Sequence, residues 1–496
     1  MMRIALLIVL SAFSALLLAA PAGAAPGMQF GIADDGVTQR TPELAPEVVP
    51  EWKATGMDVA RVLVVWSYVA PGSDRMVRPA GFDPSNPDDP QYNWAPVDQV
   101  VNLLTAQGIE PILNLTGYIP FWGSLEPSLR RNRYKPDPRQ FAVFAKAAAQ
   151  RYAGRVKRFI VWNEPNLPDW LQPQNSCNAG HCIPSAPQQY REIARLAVPA
   201  IREGAPGAQV FGPALAPKGQ SPTSVNAKTR PLAFLRSLGC VDGKLRKDRR
   251  SAGCKGFKPI TLDGIAYHPH STTFAPDRGY TNPDDADLAD EARLLKTVDG
   301  VQKAGGLVNG AGAAKKFDIY YDEFGYQTNP PDALLGVSLA QQSSWLQWSA
   351  YKAYRQPRVR MLIQYLWRDD PINTRVGSDK YGGWQSGLYR FDGNAKPARK
   401  SFPNPFWVDL PKGRRTATVW GQVRPGGAAQ VTVQKGSGTS FTTVKALTTD
   451  GQGYFQFTTT ISKKTSMRFR YTGADGHTVT SSTMTVTPTK AKASRR

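Results

Sequence analysis

From Met28 onward, short apolar runs rich in β-branched and aromatic residues alternate with longer stretches whose apolar positions recur every three or four residues. The short runs read as buried strands, predicted at 28–33, 57–65, 109–115, 156–163, 208–213, 262–268, 317–323 and 358–367. The longer stretches read as amphipathic helices. In 137–152, for example, Phe141, Phe144, Ala145, Ala148 and Tyr152 share one face, and in 338–354 so do Leu339, Trp345, Leu346 and Ala353. Eight strands alternating with helices predict an α/β fold, a (β/α)8 TIM barrel. An open doubly wound sheet would need a glycine-rich phosphate turn after its first strand, and Gly31-Ile32-Ala33-Asp34-Asp35-Gly36 is not one.

The texture changes after Pro403-Asn404-Pro405 and Pro411-Lys412-Gly413. Short alternating segments at 417–423, 430–434, 454–459, 467–471 and 478–486, separated by Gly-rich turns, predict a small C-terminal all-β sandwich, immunoglobulin-like in spacing. The expected division is a leader at 1–24, the barrel at 25–408, the sandwich at 409–488 and a basic tail at 489–496. The leader reading rests on Arg3, the apolar run 4–20 and the small residues Ala22-Gly23-Ala24, which together form a secretory signal peptide. A secreted, extracellular protein is therefore expected. The four cysteines fall as close pairs, Cys177 with Cys182 and Cys240 with Cys254, and read in that setting as two local disulfides. Four cysteines allow three pairings, so spacing alone does not prove these. Zinc is the competing reading, with only His181 nearby.

Charge adds a further constraint. The formal net charge is +22, and from Ser401 to Arg496 fourteen Lys and Arg face three Asp. With a leader present, this points away from nucleic acid and toward an anionic cell-envelope surface or acidic polysaccharide as partner of the C-terminal region. A merely solvated basic face is the alternative reading, on an equal footing. A monomer is expected.

Two strand ends carry the candidate chemistry: Trp162-Asn163-Glu164-Pro165 after the fourth predicted strand, and Asp322-Glu323-Phe324-Gly325 at the end of the seventh. Glycosidic cleavage needs an acid to protonate the leaving oxygen and a carboxylate to attack the sugar carbon, held at fixed separation across a rigid mouth. This combination resembles clan A of the retaining glycoside hydrolases, nearest to family 39 and family 5, over 28–398. The resemblance implies Glu164 as acid/base and Glu323 as nucleophile. It also implies Asn163 on the sugar 2-hydroxyl, Arg61 holding the nucleophile ionised, and Trp367 as the floor of the sugar site. His268 is a further expected substrate contact. No cofactor and no metal are called for, and the expected ligand is an oligo- or polysaccharide. The oxygens of the two glutamates should lie roughly 5 Å apart.

One departure stands out. The clan commonly ends its sixth strand in His-x-Tyr, whereas this chain has Tyr267-His268-Pro269-His270. Either His270 replaces that tyrosine hydroxyl or Tyr267 does so from another angle. His268 and His270 alternate on one strand face and would also suit a metal, although few other histidines exist to complete a site. Trp66, Trp122, Trp170 and Trp384 are candidates either for stacking on sugar or for filling the core. A carbohydrate-binding protein on an inactive barrel is the rival to an enzyme.

Overall fold

The computed structural model describes residue 25 and residues 27–375 and 379–489, so the leader expected at 1–24 and the tail from 490 lie outside the described residues. Eight parallel strands close into a barrel: β1 (Gln29–Ala33), β2 (Val59–Val65), β3 (Glu110–Thr116), β4 (Arg158–Val161), β5 (Gln209–Leu215), β6 (Gly264–Tyr267), β7 (Ile319–Phe324) and β8 (Val359–Tyr365). Closure is made by β1, which pairs with β8 from Gln29↔Met361 to Ala33↔Tyr365 and with β2 at Gly31↔Val59 and Ile32↔Ala60. A closed sheet excludes the doubly wound alternative.

The strands read as nearly continuous apolar runs because both faces are covered. Inward-pointing Val59, Ile112, Ile160, Phe211, Met361 and Ile363 belong to a cluster separate from the outer core, and the Phe211 and Tyr320 rings stack across it at 4.0 Å. Outside, the amphipathic helices cover the barrel. Helix Pro138–Arg151 begins where Asp137 accepts the backbone N–H of Arg139 and buries Phe141, Phe144, Ala145 and Ala148. Helix Leu339–Arg355 begins with a capping box in which Ser338 and Gln341 satisfy each other's backbone N–H.

The C-terminal region folds as two antiparallel sheets. One holds Phe406–Asp409, Thr416–Gln422 and Tyr454–Thr460; the other holds Gln430–Ser437, Ser440–Thr448, Thr465–Thr472, Thr478–Thr480 and Met484–Val486. Strand Phe406–Asp409 starts upstream of the expected boundary at 409 and pairs with Thr416–Gln422 from Phe406↔Gly421 to Asp409↔Thr418. The sandwich has its own apolar core around Val419, Val431, Val433, Phe455 and Phe469. It is also docked on the barrel. Trp420 and Tyr454 join the main core beside Tyr351 and Tyr354, and the Tyr454 hydroxyl donates to Met28 O at 3.1 Å. Disulfides join Cys177 to Cys182 and Cys240 to Cys254.

Candidate active site

The two glutamates meet at the mouth formed by the C-terminal ends of the strands. Just past β4 the backbone turns abruptly, with Trp162 at φ 69° and Glu164 at φ 39°, both in the left-handed region that costs a side-chain-bearing residue on the order of 1–3 kcal/mol. Three bonds hold this turn. Trp162 N donates to Leu115 O, Asn163 N to Thr116 Oγ1 and Glu164 N to Ala214 O, at 2.8, 3.0 and 3.0 Å. Asn166, fully buried, ties the following loop to β5 by donating to Ala216 O and accepting from Ala216 N. Opposite, β7 steps out of register with β8 between Tyr321 and Phe324. Strict alternation would send Asp322 and Glu323 to opposite faces, but both reach His268. Gly325 follows because a Cβ there would sit 2.2 Å from Tyr365 O.

His268 is the hub. Its Nδ1 lies 3.0 Å from Glu164 Oε1 and 3.4 Å from Glu323 Oε2, and its Nε2 lies 3.1 Å from Asp322 Oδ2. The two glutamate oxygens therefore cannot be more than about 6.4 Å apart, the sum of those two reaches. On its other oxygen Glu323 pairs with Arg61, whose Nη1 donates to Asn163 Oδ1 at 3.0 Å. His270 Nε2 faces Glu323 Oε2 at 3.6 Å.

Burial by itself would raise the Glu323 carboxyl, but Arg61, His268 and His270 overrule it and hold the group well below the usual carboxylate range. Burial would likewise discharge His268, but Glu323, Asp322 and Glu164 outweigh it and push the imidazole up to about 10. At neutral pH the site thus contains an ionised Glu323 gripped by two fixed cations.

Arg61, Asn163, Glu164, His268 and Glu323 are brought together as expected from the motifs. Trp367 is not. Strand β8 ends at Tyr365, so alternation does not carry on to 367, and the Trp367 ring turns outward onto Trp52, Tyr389 and Arg399. The expectation of Trp367 as sugar floor is corrected: Tyr365 and Trp384 occupy that part of the mouth. They lie edge to face at 5.5 Å and line a cleft of about 450 Å³ together with Arg61, Asn163, Glu323, Tyr118 and Trp170. The Tyr118 and Trp170 rings stack at 5.4 Å on one wall. Of the four tryptophans left open by sequence, Trp170 and Trp384 line the cleft, while Trp66 and Trp122 pack against each other beneath helix Pro138–Arg151. The choice between Tyr267 and His270 also closes. Tyr267 points away and donates to Ala286 O at 2.7 Å, leaving His270 against Glu323.

Asp322 and Asn114 carry roles that sequence reasoning missed. Asp322 is fully buried, and Asn114, with its amide oxygen turned toward Arg61, accepts from Nη1 at 3.1 Å. Asp322 was visible in the motif, but only the register shift brings it inside. Donor atoms of His268, His270 and Glu323 lie within 4.8 Å of one another, close enough to share an ion. Both ring nitrogens of His268 face carboxylates and Arg61 takes the other oxygen of Glu323, so these contacts also form a continuous network of polar pairs.

No family model matches the chain. Two curated proteins align with part of it. Beta-glucosidase 40 of Arabidopsis thaliana is 30% identical over 127 residues, 24% of this chain and 21% of that protein. Beta-glucosidase 34 of Oryza sativa subsp. japonica is 29% identical over 116 residues, 22% of this chain and 19% of that protein. The chain thus spans only about a fifth of the length of the curated relatives it matches. Among solved structures, a glucosidase from Croceicoccus marinus superposes with a TM-score of 0.51 at 11% identity, covering 89% of this chain and 94% of that one. The likeness is one of fold.

Proposed function

We propose that the protein is an exported retaining β-glycoside hydrolase acting on a polysaccharide or glycoconjugate, with Glu164 as acid/base and Glu323 as nucleophile. The observation that carries this reading is the shared contact of both carboxylates with one nitrogen of His268. It holds the facing oxygens of the two glutamates within reach of one imidazole nitrogen, in keeping with the separation of about 5–5.5 Å that a retaining enzyme uses. In the first step Glu164 gives its proton to the leaving oxygen while Glu323 attacks the anomeric carbon, and the carbon–oxygen bond breaks as the ester forms. In the second step Glu164 takes a proton from water, which attacks the same carbon and frees Glu323. Arg61 keeps the nucleophile charged, and Asn163, fixed by Arg61, presents its amide to the sugar. Esterification removes one anion from around His268, which favours Glu164 as the carboxylate the second step requires.

Export is proposed from the leader-like start, in keeping with two disulfides and with the finding that, among the described residues, no helix is long and apolar enough to cross a membrane. The similarity to glucosidases supports glycosidase chemistry in general and does not name a sugar. The test is hydrolysis of activated aryl β-glycosides. Glu323→Gln should lower kcat by about 10⁴-fold or more, and a mechanism-based 2-fluoroglycoside should label Glu323. Undiminished turnover by Glu323→Gln, or glycan binding unchanged when both glutamates are removed with no turnover in the parent, would overturn the reading.

A further inference from the structure

The sandwich is polarised in charge along its strands, and the primary sequence does not reveal this. Lys412, Arg414 and Arg415 lie in the loop before strand Thr416–Gln422, and Lys463 and Lys464 lie in the turn after strand Tyr454–Thr460. These segments touch: Thr416 pairs with Thr460, and Ile461 N donates to Arg415 O at 2.8 Å. Lys435 joins the same end, because it pairs with Met467 two residues into the strand that leaves the Lys463–Lys464 turn. All six are exposed, and none makes an ion pair among the described residues.

Two of the three acids lie at the far end, and the third, Asp409, stands opposite Thr418 nearer the cationic end but is already paired with the barrel. Asp450 and Asp475 sit in turns at the opposite ends of the same strands, where Gln422 pairs with Tyr454 and Thr472 with Thr478. Asp409 is held by Arg355 at 3.0 Å and by the Tyr351 hydroxyl at 2.9 Å. Strand Thr416–Gln422 therefore separates a cationic end from an acidic one by roughly 20 Å, at about 3.4 Å per residue. The acidic end is the docked one. Tyr454 reaches Met28 and Arg424 crowds Gly56, both at the N-terminal side of the barrel strands, whereas the glutamates stand at the C-terminal side. No residue of the sandwich lines the catalytic cleft.

We infer that this cationic end is a docking surface for a carboxylate-bearing acidic polysaccharide, holding the enzyme on an anionic matrix while the catalytic mouth stays open. A uronate polymer presents a row of carboxylates to which the lysines offer point charges and Arg414 and Arg415 offer paired hydrogen bonds. The end carries no exposed large apolar side chain with which to enter a lipid surface. Choosing a glycan as the polyanion rests on the proposed glycosidase reading; the charge polarity does not.

The test is retention of the full chain on immobilised polygalacturonate. Wild type should bind, and affinity should fall about tenfold or more between 50 and 200 mM salt. Replacing the six cations (Lys412→Ser, Arg414→Ser, Arg415→Ser, Lys435→Ser, Lys463→Ser and Lys464→Ser) should weaken binding by a similar factor, with melting temperature and aryl-glycoside turnover unchanged. A chain ending at Thr489 should retain most of the binding. Glu323→Gln should bind as wild type does, so that failure of the catalytic reading is distinguishable from failure of this one. The proposal is overturned by salt-insensitive retention, by an equal loss on neutralising the barrel's Lys255, Lys258 and Lys303, by loss on shortening the tail alone, or by tighter binding to duplex DNA or anionic vesicles.

Discussion

Arg61 and Arg424 are both buried, and they are buried differently. Arg61, at the barrel mouth, is 2% exposed and faces Glu323 and Asn163. Arg424, at the seam between barrel and sandwich, is 5% exposed and meets no carboxylate. Its guanidinium lies 3.5 Å from the Phe30 ring centre and 4.4 Å from that of Phe402, and it donates to Phe402 O and Gln422 Oε1. Burial pushes Arg424 down to about 9, whereas for Arg61 the facing Glu323, Asp322 and Asp35 overcome burial and raise it. Buried charge alone therefore does not mark a functional site. What marks the mouth is opposed charges converging on a cleft, on backbone held in a costly conformation.

The contrast breaks most sharply at Arg61. Arg61→Met should cost about 3–5 kcal/mol of stability, because Glu323 is left buried without its main partner. It should also lower kcat/KM by about 10³-fold or more and move the acid limb of the pH–rate profile upward, as Glu323, the proposed nucleophile, loses the cation that keeps it ionised. Thermal unfolding and a pH series on one aryl glycoside measure both. Next come the two tryptophans. Trp367→Ala should cost about 3–5 kcal/mol in stability with KM unchanged, while Trp384→Ala should raise KM with a small change in melting temperature. The reverse pattern would restore Trp367 to the sugar site.

Asp322→Asn, nearly isosteric, should reduce kcat by about 10–100-fold and move the alkaline behaviour to lower pH, since His268 loses one of the anions that keep it protonated. The signs for stability follow. His268, raised to about 10 from 6.5, contributes stability that is fully present below 6.5 and lost as pH rises through about 10. Glu323, depressed from 4.5, contributes stability that is present above 4.5 and lost as pH falls through its lowered value. Denaturant midpoints should therefore be highest and flattest between about pH 5 and 6 and should fall steadily as pH rises from about 6.5 toward 10. The smallest effect belongs to Arg424→Met, about 1–2 kcal/mol with turnover unchanged, because an apolar side chain can fill a pocket walled by two phenylalanine rings.

Much of this was legible along the chain. All eight barrel strands appear within a few residues of their predicted positions, because strands covered on both faces must be apolar whatever their neighbours do. The sandwich was less legible. In strand Ser440–Thr448 the half-buried apolar residues Phe441, Val444 and Leu447 fall three apart and the rest are exposed, so no period-two alternation is there to read. The predicted run 478–486 divides where the buried Ser481 hydroxyl accepts the Phe469 N–H at 2.9 Å. At the site, Arg61, Asn163, Glu164, His268 and Glu323 stand in local motifs whose residue types speak for themselves, while Tyr365 and Asp322 do not.

Residue order alone determined the barrel, the two cysteine pairs as the simplest pairing, and the pair of glutamates, because periodicity, spacing and side-chain chemistry are local properties. Tertiary structure decided the rest. A register shift in β7 turned Asp322 inward, the end of β8 at Tyr365 sent Trp367 to the outer core, and His270 rather than Tyr267 came to face Glu323. Which way a side chain points at the end of a strand, and which distant charge it meets, depends on how neighbouring strands and loops pack, and one residue of offset reverses it.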